Sequence, residues 1–145
     1  MNIVVLIFSI LISLGCFWFG FKFIKIYFKV KKWERVNATV VSKKAEPHKK
    51  NSTGRSRYGV LVDYKYNYNN VDYVNNKVYL IELLGGQANH MESSAKKIVD
   101  KIEHTISIYV NQQNPQESVI FCDGILLYVF IIIMGIGSLL MGLSS

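Results

Sequence analysis

The chain is poor in residues that build covalent or metal-held scaffolds, with two cysteines and three histidines in 145 residues. Cys16 and Cys122 are too few for a disulfide framework or a structural zinc site, and they read as small apolar residues. His48, His90 and His104 are scattered, and none has a ligand partner at helical or strand spacing, so no metal set is expected. Two prolines and ten glycines exclude a collagen-like or low-complexity chain, and a 50% hydrophobic composition excludes wholesale disorder.

The most informative absence is charge at the two ends. Every Lys, Arg, Asp and Glu lies between Lys22 and Asp123. Ile3 to Phe21 and Gly124 to Leu143 are therefore charge-free runs of roughly twenty residues, and at about 1.5 Å per residue each spans a hydrocarbon core of ~30 Å as a helix. An amphipathic core helix would keep a polar stripe at the 3.6-residue period, and neither run has one. Two transmembrane helices are expected. A cleaved signal fits the first run poorly, because its n-region is only Met1-Asn2 and aromatics continue through Phe17, Trp18, Phe19 and Phe21. Leu14-Gly15-Cys16 approximates a lipoprotein acylation box, but Ser13 stands at the position three before the cysteine and the apolar run does not stop there. A retained helix is the better reading.

Charge is present in excess just after the first run. The chain holds 17 basic and 10 acidic side chains, a net +7. Lys22, Lys25, Lys29, Lys31, Lys32 and Arg35 outnumber a single acid, Glu34, close to the first helix. Positive-inside reasoning then places everything from Lys22 to Asp123 in the cytoplasm and both termini outside, in a multi-pass inner-membrane topology. Lys22, Lys25, Lys29 and Lys32 share one helical face, beside a stripe of Phe23, Ile26, Tyr27, Val30 and Trp33. The first helix is therefore expected to continue past the bilayer or bend along its surface. With Trp33, the four lysines are candidates for binding anionic headgroups at roughly 1 kcal/mol per Lys, or they only orient the helix. Because they hug the membrane, nucleic acid is not expected as a partner.

Between the two runs, residues 36–122 suffice for one small core, giving an organisation of 1–35, 36–122 and 123–145. Val36, Ala38 and Val40 alternate with Asn37 and Thr39 as a short strand, and Lys43 to Arg57 reads as a polar loop. Asn-x-Thr matches at Asn37 and Asn51 carry little weight without a secretory context. Val60, Val62, Tyr64, Tyr66 and Tyr68 alternate with Leu61, Asp63, Lys65 and Asn67, a clean period of two. Asn69-Asn70 suits a tight turn, since Asn tolerates positive φ. A two-residue turn sets Tyr68 opposite Val71 and Tyr66 opposite Tyr73, with the returning chain running on through Val78 to Ile81. Gly85-Gly86 interrupts. Asn89 with Glu92 resembles a capping box, and Met91, Ala95, Ile98 and Ile102 space a short helix to about Glu103. Thr105 to Val110 is another strand, Asn114-Pro115 a turn, and Ser118 to Phe121 a last strand. The expected class is an α+β membrane protein, with two antiparallel transmembrane helices flanking a small antiparallel β-rich domain of about five strands and one short helix.

These elements resemble the domain-of-unknown-function 3592 family of small bacterial membrane proteins. The resemblance rests on Trp33 with Ala38-Thr39-Val40-Val41, Tyr64 to Tyr68 through Tyr73, and Ile108-Tyr109-Val110-Asn111 followed by Asn114-Pro115 and Ser118. It departs at Asp100 to His104, where a Tyr-Pro-x-Gly turn is frequent, and at Asn70, where Gly is common. It implies architecture only, with no catalytic residues to carry over.

No catalytic cluster emerges from the residues. Asp100 and His104, with Ser93 or Ser94 upstream, read as a solvated helix surface rather than a nucleophile with its base. Gly85-Gly86-Gln87 lacks the Lys and Ser/Thr of a phosphate loop. Tyr64, Tyr66, Tyr68 and Tyr73 are candidate partner-facing aromatics, although alternating aromatics on a strand are more often core. The apolar runs hold no ionisable group, which argues against an ion path through this pair. Ser9 and Ser13, and Ser138 and Gly142, permit close helix packing within the chain or between two copies.

The sequence thus points to a non-enzymatic, cofactor-free, two-pass anchored protein whose small domain binds another protein or the membrane surface, with a homo-oligomer open. The alternative is an immunity, antitoxin-like protein that neutralises a membrane- or envelope-acting toxin.

Overall fold

A computed structural model of the chain describes residues 3–48 and 56–144, so the Asn51 match and Met1-Asn2 lie outside the described residues. The chain divides into two compact units, one made of residues 1–29 and 123–145 and the other of residues 30–122.

The first unit is a pair of helices, α1 (Ile3–Lys31) and α3 (Ile125–Ser144), both long and apolar enough to cross a membrane. They run antiparallel. A Cβ added at Gly20 would meet Ile132, one at Gly135 would lie 2.9 Å from Cys16 Cβ, and one at Gly142 would lie 2.5 Å from Ser9 Cβ. The seam is built from small residues because only they let two helix backbones come so close. Ser9 and Ser13 are buried in it, Ser138 Oγ reaches the Ser9 carbonyl at 3.5 Å, and the Phe23 and Tyr128 rings stack at 4.5 Å. The small-residue positions on the two helices thus face each other within one chain. The outward faces carry Leu, Ile, Phe and Trp side chains, with Leu126 81% and Trp18 73% exposed. Helix α1 continues unbroken through Lys22, Lys25 and Lys29.

The second unit is a five-stranded antiparallel sheet in the order β3-β2-β1-β4-β5, made of β1 (Glu34–Pro47), β2 (Tyr58–Tyr68), β3 (Val71–Asn75), β4 (Thr105–Val110) and β5 (Ser118–Val119). The alternation of β2 decides which side is core. Val60, Val62, Tyr64 and Tyr66 are buried, and Leu61, Asp63, Lys65 and Asn67 are exposed. Asn69 and Asn70 take φ of 52° and 63°, the left-handed pair that a two-residue hairpin turn needs to match strand twist. The register follows, with Tyr68 opposite Val71 and Tyr66 opposite Tyr73, whose rings stack at 5.6 Å. One face of the sheet is closed by α2 (Glu92–Lys101), which packs on β1 and β2. Ala95, Ile102, Val78 and Ile120 pack there with Val62, Tyr64 and Ile108.

Four boundaries differ from the sequence pattern. Lys43 to Pro47 is strand, not loop, because β1 pairs with β4 over Glu34–Thr39 and with β2 from Ala38 to Pro47, across a bulge between Val40 and Ser42. Its charged residues lie along a solvated margin, and Lys43 Nζ donates to the carbonyls of Val99 (3.0 Å) and Ile102 (2.5 Å) at the end of α2, where a helix leaves carbonyls unpaired. Val78 to Ile81 does not extend the hairpin. Asn75 Oδ1 accepts from Asn76 N at 2.8 Å and turns the chain out of the sheet. A 3-10 turn, Leu80–Leu84, follows, with the Glu82 carboxylate accepting from Val78 N at 2.6 Å. Asn89 does not cap α2. The N-cap is Met91, because His90 is held to Tyr58 by two backbone hydrogen bonds and the helix starts only after it; its end is Lys101 rather than Glu103. The last strand ends at Val119. Ile120 and Phe121 turn to donate to the carbonyls of Lys77 and Val78 instead.

Candidate functional site

The lysine-bearing end of α1 is organised by what its other side buries. Phe23 stacks on Tyr128, and Ile26 and Tyr27 are half-buried. Lys22, Lys25 and Lys29 are exposed along the same helix and take part in neither the Lys44–Glu46 nor the Lys96–Glu92 ion pair. Three ammonium groups therefore project from the end of an apolar helix. Lys32 is exposed as well but lies past the last helical residue, in the turn closed by the hydrogen bond from Trp33 N to Val30 O at 2.9 Å. Trp33 is buried at 9% exposure.

The tyrosine row divides in two. Tyr64 is fully buried, and its hydroxyl donates to the Lys77 carbonyl at 3.0 Å and sits 3.0 Å from Ser118 Oγ. Burial holds its phenol well above the usual range. Tyr66, also buried, donates to the Pro115 carbonyl at 2.6 Å. These two phenols fasten β2 to the segments around residues 77 and 115–118. Tyr68 and Tyr73 are half-exposed, and Tyr68 donates to Glu34 Oε2 at 3.0 Å. Only these two of the four present ring surface outward.

The groups with chemical potential stay apart. Among the described residues no three His, Cys, Asp or Glu side chains gather as a metal site. Helix α2 ends at Lys101, so Asp100 and His104 do not share a helical face; His104 uses its carbonyl to accept from Val40 N at 2.8 Å. Asn37 is a mid-strand residue of β1, opposite Ser107. Tyr79 packs its ring against His90 at 5.2 Å, and burial pushes its phenol up to about 12.

One feature escapes the sequence altogether, a cleft of about 290 Å³ beside the first half of β2, lined by residues that include Val60, Leu61, Lys77 and Gly86. It arises from where strand β3 leaves the sheet, and a departure in three dimensions writes no motif.

A family model described as "Domain of unknown function (DUF3592)" matches residues 36–124. No curated protein matches the chain.

Proposed function

Since the chain belongs to the DUF3592 family, which is defined by a domain and not by a reaction, we propose that it is a two-pass membrane anchor for a small β-sheet interaction module with no catalysis of its own. Helices α1 and α3 lie in the bilayer. The lysine-bearing end of α1 lies at the headgroup layer, where Lys22, Lys25 and Lys29 attract anionic lipid. Positive-inside reasoning sets that layer, and the sheet domain with it, on the cytoplasmic side of an inner membrane.

The observation that carries this reading is the exposure of Lys22, Lys25 and Lys29 at one end of an otherwise apolar helix, outside the Lys44–Glu46 and Lys96–Glu92 ion pairs. Near an anionic surface each Lys contributes roughly 1 kcal/mol, and the effect decays within a Debye length. The sheet domain suits a binding role because the phenols of Tyr64 and Tyr66 are committed to internal hydrogen bonds, while both margins of the sheet retain main-chain groups able to pair.

The test is lipid selectivity of the full chain in vesicles of phosphatidylcholine and phosphatidylglycerol, read from spin-labelled lipids immobilised at the protein. The native chain is expected to hold phosphatidylglycerol several-fold over phosphatidylcholine at low salt and to lose that preference at about 1 M salt. The variant K22Q/K25Q/K29Q is expected to show none. Equal selectivity in the native chain and the variant overturns the lipid role.

A further inference from the structure

The cleft beside the first half of β2 brings a cation, an imidazole and two carboxamides into one hollow. Its lining includes His48 just past β1, Val60 in β2, Asn76 and Lys77 just past β3, and Glu82 and Gln87 on the returning chain.

The charged groups on this lining are not equivalent. Lys77 Nζ donates to the Glu82 carbonyl at 2.9 Å, which uses one of the three N–H groups of an ammonium and fixes where it sits. Glu82 is the one acidic side chain among the described residues of the lining. Its carboxylate is already engaged by main-chain donors, Val78 N at 2.6 Å and Tyr79 N at 3.3 Å. The segments that supply the rest of the wall are free of acid, since no Asp or Glu occurs between Glu46 and Asp63 or between Asp72 and Glu82. His48 lies directly over Gly59, where a Cβ would come 2.5 Å from His48 Nε2. The imidazole therefore reaches the wall only because residue 59 has no side chain.

Val60 adds main chain to these side chains. In an antiparallel ladder successive residues turn their N–H and C=O to opposite margins. Arg57 turns towards β1, since its carbonyl accepts from His48 N at 2.6 Å, so Val60, three residues on, turns away. Neither of its peptide groups has a main-chain partner on that side among the described residues, although the residue is buried. Buried peptide groups left unpaired are rare. A hydroxyl, which donates and accepts at once, satisfies such a pair, and so do the carboxamides of Asn76 and Gln87 recognise one.

We infer that this cleft is a binding site for a small hydroxylated oxyanion, a polyol phosphate or a hydroxy acid. Its anionic end lies at Lys77 and His48, where a charge-assisted hydrogen bond is strongest. Its hydroxyls meet Asn76, Gln87 and the Val60 main chain. A volume of about 290 Å³ stands at the small end of ligand cavities, which suits a body of a few carbons. The same chemistry exists as a free molecule and as the glycerol phosphate headgroup of a lipid. The site goes beyond the anchoring role and uses none of the α1 lysines.

The experiment uses the full chain labelled with ¹⁵N-glycine, so that Gly85 and Gly86 report from the wall and Gly137 and Gly142 from α3. Glycerol 1-phosphate and glycerate are titrated into the protein in nanodiscs of phosphatidylcholine alone. Saturable shifts of the wall glycines, with those of α3 unmoved, are expected for at least one of the two. Wall shifts that appear only in discs containing phosphatidylglycerol, with no free anion added, keep the site and make the headgroup its occupant. H48Q and K77Q are each expected to weaken binding about tenfold or more, the worth of one charged hydrogen bond. G59A displaces the imidazole and is expected to weaken it likewise. Because Lys77 also braces Glu82, H48Q and G59A decide if K77Q lowers the melting temperature. Absence of saturable wall shifts in both kinds of disc, or shifts unchanged in H48Q and G59A, overturns the proposal. K22Q/K25Q/K29Q is expected to keep binding of the free anion, so failure of the lipid reading stays distinguishable from failure of this site.

Discussion

The Tyr64 hydroxyl lies 3.0 Å from Ser118 Oγ, joining the middle of β2 to the first residue of β5 although β1 and β4 stand between them in the sheet order. Tyr64 also donates to the Lys77 carbonyl, so a single phenol holds together the two segments that close one end of the sheet. Tyr64→Phe keeps the ring and leaves the buried Ser118 hydroxyl without its acceptor, while the Lys77 carbonyl keeps the Ile120 N–H, at a cost of about 1–3 kcal/mol. Tyr64→Ala removes the ring as well and costs about 3–5 kcal/mol. Tyr68→Phe, at the exposed Glu34 contact, is expected to stay within about 0.5 kcal/mol. Denaturant melts of the full chain in detergent measure the ordering.

Alkali is expected to destabilise the sheet domain. Burial raises the phenols of Tyr64 and Tyr79 above the value of about 10 for an unfolded tyrosine. A raised folded-state value means the native state holds its proton more tightly. The stability this contributes is complete below pH ~10 and declines above it, as the unfolded phenols ionise first. Tyrosinate absorbance should therefore rise in two parts, with the buried phenols ionising only as the domain unfolds. Ionisation of every tyrosine in one step near pH 10, with the fold intact, contradicts this.

The helix seam predicts an intramolecular cross-link. In a chain carrying Gly135→Cys and Cys122→Ala, oxidation should join Cys16 to the new thiol, because a Cβ at 135 would lie 2.9 Å from that of Cys16 and a slight parting of the helices reaches the ~3.5–4.5 Å of a disulfide. After proteolysis between the helices, the two fragments should stay linked until reduced. Covalent dimers in place of linked fragments would assign the seam to a contact between copies.

How much of this was readable in advance depended on whether a feature was local. The β2 alternation and the Asn69-Asn70 turn carry their own register, since a two-residue turn with both φ positive leaves one way to pair Tyr66 with Tyr73. The two apolar helices follow from uncharged length alone. Lys43 to Pro47 could not be read as strand, because that half of β1 is specified by its neighbour β2 and not by an apolar period of its own. The same applies to the start of α2. Its Asn89-to-Glu92 spacing offers a cap, but the bridge from His90 to Tyr58 fixes the chain just before the helix and takes precedence. Trp33 sat on a helical face by spacing, yet α1 ends two residues earlier and the ring is buried. The margin of Val60 and Val62 away from β1 depends on where β3 departs after Asn75, and no local pattern encodes it.

The placement of α1 and α3 within lipid is tested most directly by alkaline carbonate extraction of membranes from cells making the full chain. The protein is expected to remain wholly in the sedimented bilayer, as a chain threaded by two apolar helices must, even while the alkali loosens the sheet domain. Recovery of the intact chain in the soluble fraction would contradict it.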